Sequence, residues 1–271
     1  MSSSEADNRL RHAGFLATPT LWQGEDVSTY EQIELPVANS NAAAPEPKQG
    51  LRLGKLVETY VCDALKRSSE ITWITDGLQI QHDKRTIGEL DALYHHNGRP
   101  IHLEVAYKFY LYDTRQTYAN PLAHWIGPNR KDNLALKLRK LHNKQFPLLH
   151  HPLTRTQLAS FQLSPENIEQ RLCFRGQLFV PYQKSLDVHP LNQQCVAGFY
   201  CSITELNWFA ACTFFIPNKL DWLVVPHRGV AWRKYAEVVA EISASVGQQR
   251  SPLVWIRHPD ERIERCFVVF W

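Results

Sequence analysis

Two carboxylates in this chain are spaced as partners on a hairpin. Asp91 lies in TIGELDALYHH and Glu104 in IHLEVAYKFYLY, and between them stands Asn97-Gly98, the strongest short hairpin signal. A two-residue loop pairs His96 with Arg99, so opposed residues have numbers summing to 195 and Asp91 faces Glu104. Side chains so opposed have Cβ atoms about 4.5–5.5 Å apart, and two like charges there are destabilising unless something positive lies between them. A divalent cation answers that need, because Mg²⁺ is usually held by one or two carboxylates with waters and substrate phosphates completing its shell. A four-residue loop, Asn97 to Pro100, would make the sum 197 and move Asp91 to a diagonal of Glu104 on the same face. Strand alternation adds His102, Ala106 and Lys108 to the Glu104 face. An ammonium there could orient a water or neutralise charge developing on a phosphate. On a preceding helix Gly54 and Glu58 lie one turn apart, so the small residue could let the helix approach the sheet and aim Glu58 at the same carboxylates.

The elements that must position these groups are legible from periodicity. In LRLGKLVETYVCDALKRSS, Leu53, Leu56, Val57, Tyr60, Val61, Ala64 and Leu65 recur at helical spacing, and Lys and Arg suit the C-terminus. ITWITDGLQIQ, TIGELDALYHH and IHLEVAYKFYLY read as a three-strand meander. Helical periodicity returns in NRKDNLALKLRKLHNKQ, and CFRGQLFVP reads as a further strand, giving the order α-β-β-β-α-β. Beyond Pro181 come strand candidates VAGFYCSI, ACTFFIP, DWLVVP, LVWIR and RCFVVFW, and one helix candidate, VAWRKYAEVVAEISASV. ANSNAAAPEPKQG, at 38–50, reads as linker. The expected division is therefore an N-terminal arm and linker over 1–50, a core over 51–181 and a C-terminal α+β extension over 182–271 packed on it.

Composition excludes several classes. With 271 residues, 44% hydrophobic and 21% charged, the chain is neither collagen-like, coiled-coil nor largely disordered. A net charge of +3 is too mild to announce a nucleic-acid or membrane partner, so any such partner must rest on a local patch. One patch is present: the 130–146 segment carries Arg130, Lys131, Lys137, Arg139, Lys140 and Lys144 against the single acid Asp132, and could track a phosphate backbone. The six scattered cysteines, with no C-x-x-C pair, read as reduced and buried, and no run approaches a membrane span, so a cytoplasmic protein is expected. No zinc spacing, nucleophile elbow, P-loop or G-x-G-x-x-G is present. The C-terminal tryptophans read as core.

The set Leu53-Gly54 with Glu58, Gly88 to Asp91, and His102 to Lys108 resembles the core of the PD-(D/E)xK nuclease superfamily. The whole chain is similar, more diffusely, to a bacterial family known as domain of unknown function 1853, which is grouped with that superfamily. The resemblance implies an α/β fold with a restriction-endonuclease-like core, a central mixed sheet flanked by helices, and Mg²⁺- or Mn²⁺-dependent phosphodiester hydrolysis in nucleic acid, DNA ahead of RNA. By motif position it makes Asp91 and Glu104 metal ligands, Lys108 the catalytic lysine and Glu58 an accessory carboxylate. It also implies supporting places for Lys137 and Gln145, and the basic patch adds Arg130, Lys131, Lys140 and Lys144 beside them as expected nucleic-acid contacts. The sequence departs from the pattern at Ala106, which stands where the lysine normally does, with Lys108 about 6.6 Å further along the strand. The alternative expectation is a catalytically inactive scaffold that binds nucleic acid or a protein partner.

Overall fold

The computed structural model describes residues 3–36, 44–46 and 50–271, so most of the stretch read as linker lies outside the described residues. In chain order the helices are α1 (Ser3–Ala17), α2 (Leu53–Lys66), α3 (Leu134–Lys140), α4 (Pro152–Ala159) and α5 (Tyr235–Gly247). The strands are β1 (Ile71–His82), β2 (Arg85–His96), β3 (Arg99–Tyr112), β4 (Trp125–Ile126), β5 (Glu169–Pro181), β6 (Val196–Ser202), β7 (Thr213–Phe215), β8 (Arg233–Lys234), β9 (Leu253–Arg257) and β10 (Ile263–Val269). The fold is α/β, with a large mixed sheet flanked by helices. Among the described residues no helix is long and apolar enough to cross a membrane.

The chain divides into two compact units, and the division does not follow the expected boundaries at 50 and 181. One unit comprises residues 1–21, 108–136 and 176–271, the other 22–107 and 137–175. The long strands β3 and β5 each contribute one end to each unit, which linear composition cannot reveal.

In the unit of 22–107 and 137–175 the strand order is β1-β2-β3-β5. The apolar positions of α2 are its buried ones, as 3.6-residue periodicity requires. Leu90, Leu93, Leu149, Leu158 and Ile168 form a separate buried cluster. Residues 22–36 are packed here: Trp22 meets Phe174 edge-on at 5.1 Å, Tyr30 stacks on Phe146 at 3.6 Å, and Ile33 donates its N–H to Leu172 O at 2.8 Å.

In the other unit β6 runs parallel to both β5 and β10, whereas β9 pairs antiparallel with β10 and β7, which makes the sheet mixed. Phe199, Phe214, Val238, Ile242, Ile256 and Val268 lie in its core. All six cysteines are buried and unbridged. DWLVVP is not the strand its composition predicts: Lys219–Leu223 is a 3₁₀ helix. The tight turn buries Trp222 against Phe109 and Phe267 while leaving Asp221 to pair with Arg11 of α1 at 2.7 Å. α1 belongs to this core, for Phe15 is fully buried and a Cβ at Gly14 would stand 2.0 Å from Leu223 O. Gly14→Ala is therefore expected to cost about 1–3 kcal/mol through overpacking. Urea titration checks this, and an unchanged midpoint would remove α1 from the core.

Candidate metal centre

Four carboxylates arrive from three elements of a single unit. The turn that aligns two of them is built as its dipeptide predicts: Asn97 and Gly98 have φ of +49° and +79°, the left-handed pair of a type I′ hairpin. The ladder runs from His96↔Arg99 to Ala92↔Leu103, so the two-residue loop and the sum of 195 hold and the four-residue alternative does not. One step further, pairing gives way to side chain: the Asp91 carboxylate accepts the Val105 N–H at 2.8 Å, which seats it beside Glu104. Glu89 shares the Asp91 face by alternation. Gly77 of β1, between the pairs Asp76↔Ala92 and Leu78↔Leu90, has a φ of +62° that only glycine adopts readily, and the position of its missing Cβ is 3.6 Å from Glu89 Oε1. From α2, Glu58 completes the group. One ligand oxygen each from Glu58, Glu89 and Asp91 lie within 4.8 Å of one another.

Glu104 is fully buried and held by donors on both oxygens. The His102 Nε2 lies 3.1 Å from Oε1, and the Gln145 amide donates to Oε2. Gln170 Nε2 donates to His102 Nδ1 at 3.1 Å and to Phe146 O at 2.8 Å, so the ring proton sits on Nε2 and points at Glu104. Burial holds His102 down to about 4, so it is neutral at pH 7. Gln145 Oε1 in turn accepts from Lys137 Nζ at 2.9 Å. Gln145 reaches this place because α3 runs into a single π turn, Leu141–Gln145.

The centre carries more negative charge than its surroundings neutralise. Burial pushes Glu104 up to about 8, against the pull of Lys137, while Glu58 and Glu89 add to the rise. Asp91 is raised to about 7 by burial and then by the Glu104 charge, and Glu58 to about 7 by burial and then by Asp91. A protein cation is in direct contact: Lys55 Nζ stands 2.5 Å from both Glu58 Oε2 and Glu89 Oε1. A crowded, partly buried set of oxygen donors fits a hard divalent ion such as Mg²⁺ or Mn²⁺.

Metal-free stability should therefore depend on pH. With carboxyl pKa values near 7–8 in the fold, against ordinary values of 3.8 and 4.5, the folded state holds more protons than the unfolded one between those limits. Stability is then full below the ordinary carboxyl range and falls as pH rises through the folded values. In EDTA the melting temperature is expected to drop between about pH 5 and pH 8, reflecting a loss on the order of a few kcal/mol shared among the coupled carboxyls. Saturating Mg²⁺ should restore it at the higher pH only. A melting temperature in EDTA that stays level from pH 5 to pH 8 would contradict this.

Some residues singled out from the sequence fall elsewhere. Lys108 Nζ is bonded to Asp132 Oδ2 at 2.6 Å, in the unit that does not hold the acidic group. Arg130 has a φ of +55°, donates to Asp113 Oδ2 at 2.7 Å and lies 4.8 Å over the Trp271 ring, so it is committed internally. The helix expected over 130–146 starts only at Leu134, where Asn133 accepts the Leu136 N–H. Lys131 is exposed in the Lys108 unit, whereas Lys140 and Lys144 are exposed in the unit of the carboxylates. Gly54 does not govern a close approach, since a Cβ there meets nothing within 4 Å. Glu89 stands inside the Gly88 to Asp91 stretch but receives no role from the resemblance, and Lys55 lies outside the motif residues, although alternation from Asp91 and the i, i+3 spacing to Glu58 point to them.

Fold and site together define an α/β protein with a mixed sheet and a partly buried carboxylate centre bordered by lysines. The chain belongs to the family described as a domain of unknown function, DUF1853, whose model matches residues 15–269. Comparisons with curated proteins and with solved structures return no match.

Proposed function

We propose that this protein is a Mg²⁺- or Mn²⁺-dependent nuclease with a restriction-endonuclease-like core, hydrolysing phosphodiester bonds in nucleic acid, DNA ahead of RNA. The observation that carries the reading is the cluster of Glu58, Glu89 and Asp91, with Glu104 near enough for its charge to raise Asp91; Glu58, Asp91 and Glu104 are held above the ordinary carboxylate range by burial and by neighbouring carboxylates. These four residues would hold the ion. When bound it would activate a water and offset charge developing on the phosphate. His102 and Gln145 fix the Glu104 carboxylate by donating to its two oxygens. Lys137, anchored to Gln145, supplies the ammonium at the rim that Ala106 cannot, a role that falls to α3 in place of Lys108. It can counter charge on a phosphate oxygen, with Lys140 and Lys144 on the same helical run engaging the flanking backbone.

The test is incubation of the wild-type protein with supercoiled, linear and single-stranded DNA and with RNA, in Mg²⁺, Mn²⁺ or EDTA. Cleavage that requires metal is expected. Absence of cleavage from every substrate would overturn the reading.

One observation favours the inactive scaffold. Lys55 already bridges Glu58 and Glu89, a cation the chain provides for itself. In that case nucleic-acid binding is expected to weaken with salt and to be indifferent to EDTA, which a filter-binding titration reads directly.

A further inference from the structure

In the unit that does not hold the acidic group, a thiol, an imidazole and a carboxylate stand in line. The pairs Thr213↔Arg257 and Phe214↔Ile256 of β7 and β9 set the register, so the next residues outward, Cys212 and His258, face one another. Cys212 Sγ lies 3.7 Å from His258 Nδ1, and His258 Nε2 lies 2.7 Å from Glu264 Oε2 on β10. A carboxylate only accepts, so the ring proton belongs to Nε2, and the Nδ1 lone pair is left facing the thiol. Glu264 is itself held by Arg262 at 2.5 Å, and the Phe209 ring packs edge-on against the imidazole at 6.0 Å. A nucleophile within reach of a base that a third group orients is the arrangement that activates thiols and hydroxyls.

We propose that Cys212 is a reactive thiol served by His258 and Glu264, and a site of mixed-disulfide formation with low-molecular-weight disulfides. Burial, with Asp260 and Glu264 nearby, raises the thiol above its ordinary value against the opposing charge of Arg262, so the resting group is the thiol. His258 Nδ1 takes its proton as Sγ attacks one sulfur of the disulfide. A new S–S bond forms on Cys212, the old one breaks, and the leaving thiolate recovers the proton from Nδ1. The disulfide is the oxidant, and a small thiol is the product.

The chain contains its own control, because Cys62 is as exposed as Cys212, at 7%, and no histidine stands among the contacts that define its environment. The native full-length protein would be treated with oxidised glutathione and, separately, with iodoacetamide, and each cysteine followed by peptide mass mapping over time. Cys212 is expected to react at least about tenfold faster than Cys62, whose thiol is pushed up to about 12 by burial and Asp76, and His258→Phe to slow Cys212 by about tenfold while Cys62 keeps its rate. Glu264→Gln, which leaves the imidazole in place, should slow Cys212 by a smaller factor and guards against a misfolded His258 variant. Equal rates at Cys212 and Cys62 in the wild-type protein, or a Cys212 rate unaffected by either substitution, would overturn the proposal.

Discussion

Glu104→Gln is expected to lower metal-dependent cleavage by about a hundredfold or more while leaving the circular dichroism spectrum unchanged. Glu104 is the most deeply buried of the four carboxylates, and a neutral amide cannot share the charge of a divalent ion; several kcal/mol of lost electrostatic stabilisation corresponds to at least two decades in rate. The stability change should be small for a physical reason. Both Glu104 oxygens now receive donors, His102 Nε2 and Gln145 Nε2, and a glutamine has only one acceptor oxygen, so one donor is left facing an amide N–H at a cost of about 1–3 kcal/mol. Against that, above about pH 8 a buried charge disappears, and Asp91 loses the neighbour that raises it. The variant should therefore melt near the wild type in EDTA and gain less than the wild type from Mg²⁺. Calorimetric titration with Mg²⁺ beside the cleavage assay checks both halves. Full activity in the variant would remove Glu104 from the centre.

The second large effect separates two lysines. Lys137→Met is expected to reduce cleavage by about a hundredfold, as loss of a preorganised cation at a phosphate does. Because Lys137 pulls both Asp91 and Glu104 down, its removal should also carry the fall in metal-free stability on to higher pH and leave the variant less stable at neutral pH. Lys108→Met should leave cleavage within about threefold of wild type and cost no more than about 1 kcal/mol, since its pair with Asp132 is one-third exposed on both sides. Single-turnover rates on the preferred substrate, with melting curves for each variant, distinguish the two. If Lys108→Met were the inactive variant and Lys137→Met the active one, the lysine would serve from the strand after all.

Much of the centre was legible because it depends on short-range geometry. The Asn97-Gly98 turn sets the register of β2 on β3, and that register alone brings Asp91 to the level of Glu104. The i, i+4 spacing that lines up Leu53, Val57 and Val61 also sends Glu58 away from the apolar stripe. Glu89 obeys the same alternation as Asp91 and could have been read with it.

Other features depended on contacts between segments distant in sequence. Lys108 lies on the expected strand, yet Asp132, twenty-four residues later, captures its ammonium. Lys137 reaches the carboxylates through Gln145 because α3 ends in a π turn, an irregularity that apolar periodicity does not signal. DWLVVP has strand composition, but burying Trp222 and pairing Asp221 with Arg11 demanded a tight turn. By itself the sequence determined the elements and the two facing carboxylates, because turns, helices and alternation are governed by a few neighbouring residues. Tertiary structure decided which lysine stands beside the carboxylates, which cation meets Glu58 and Glu89, and how the chain divides into units, because charge pairing and burial act between residues that only folding brings together.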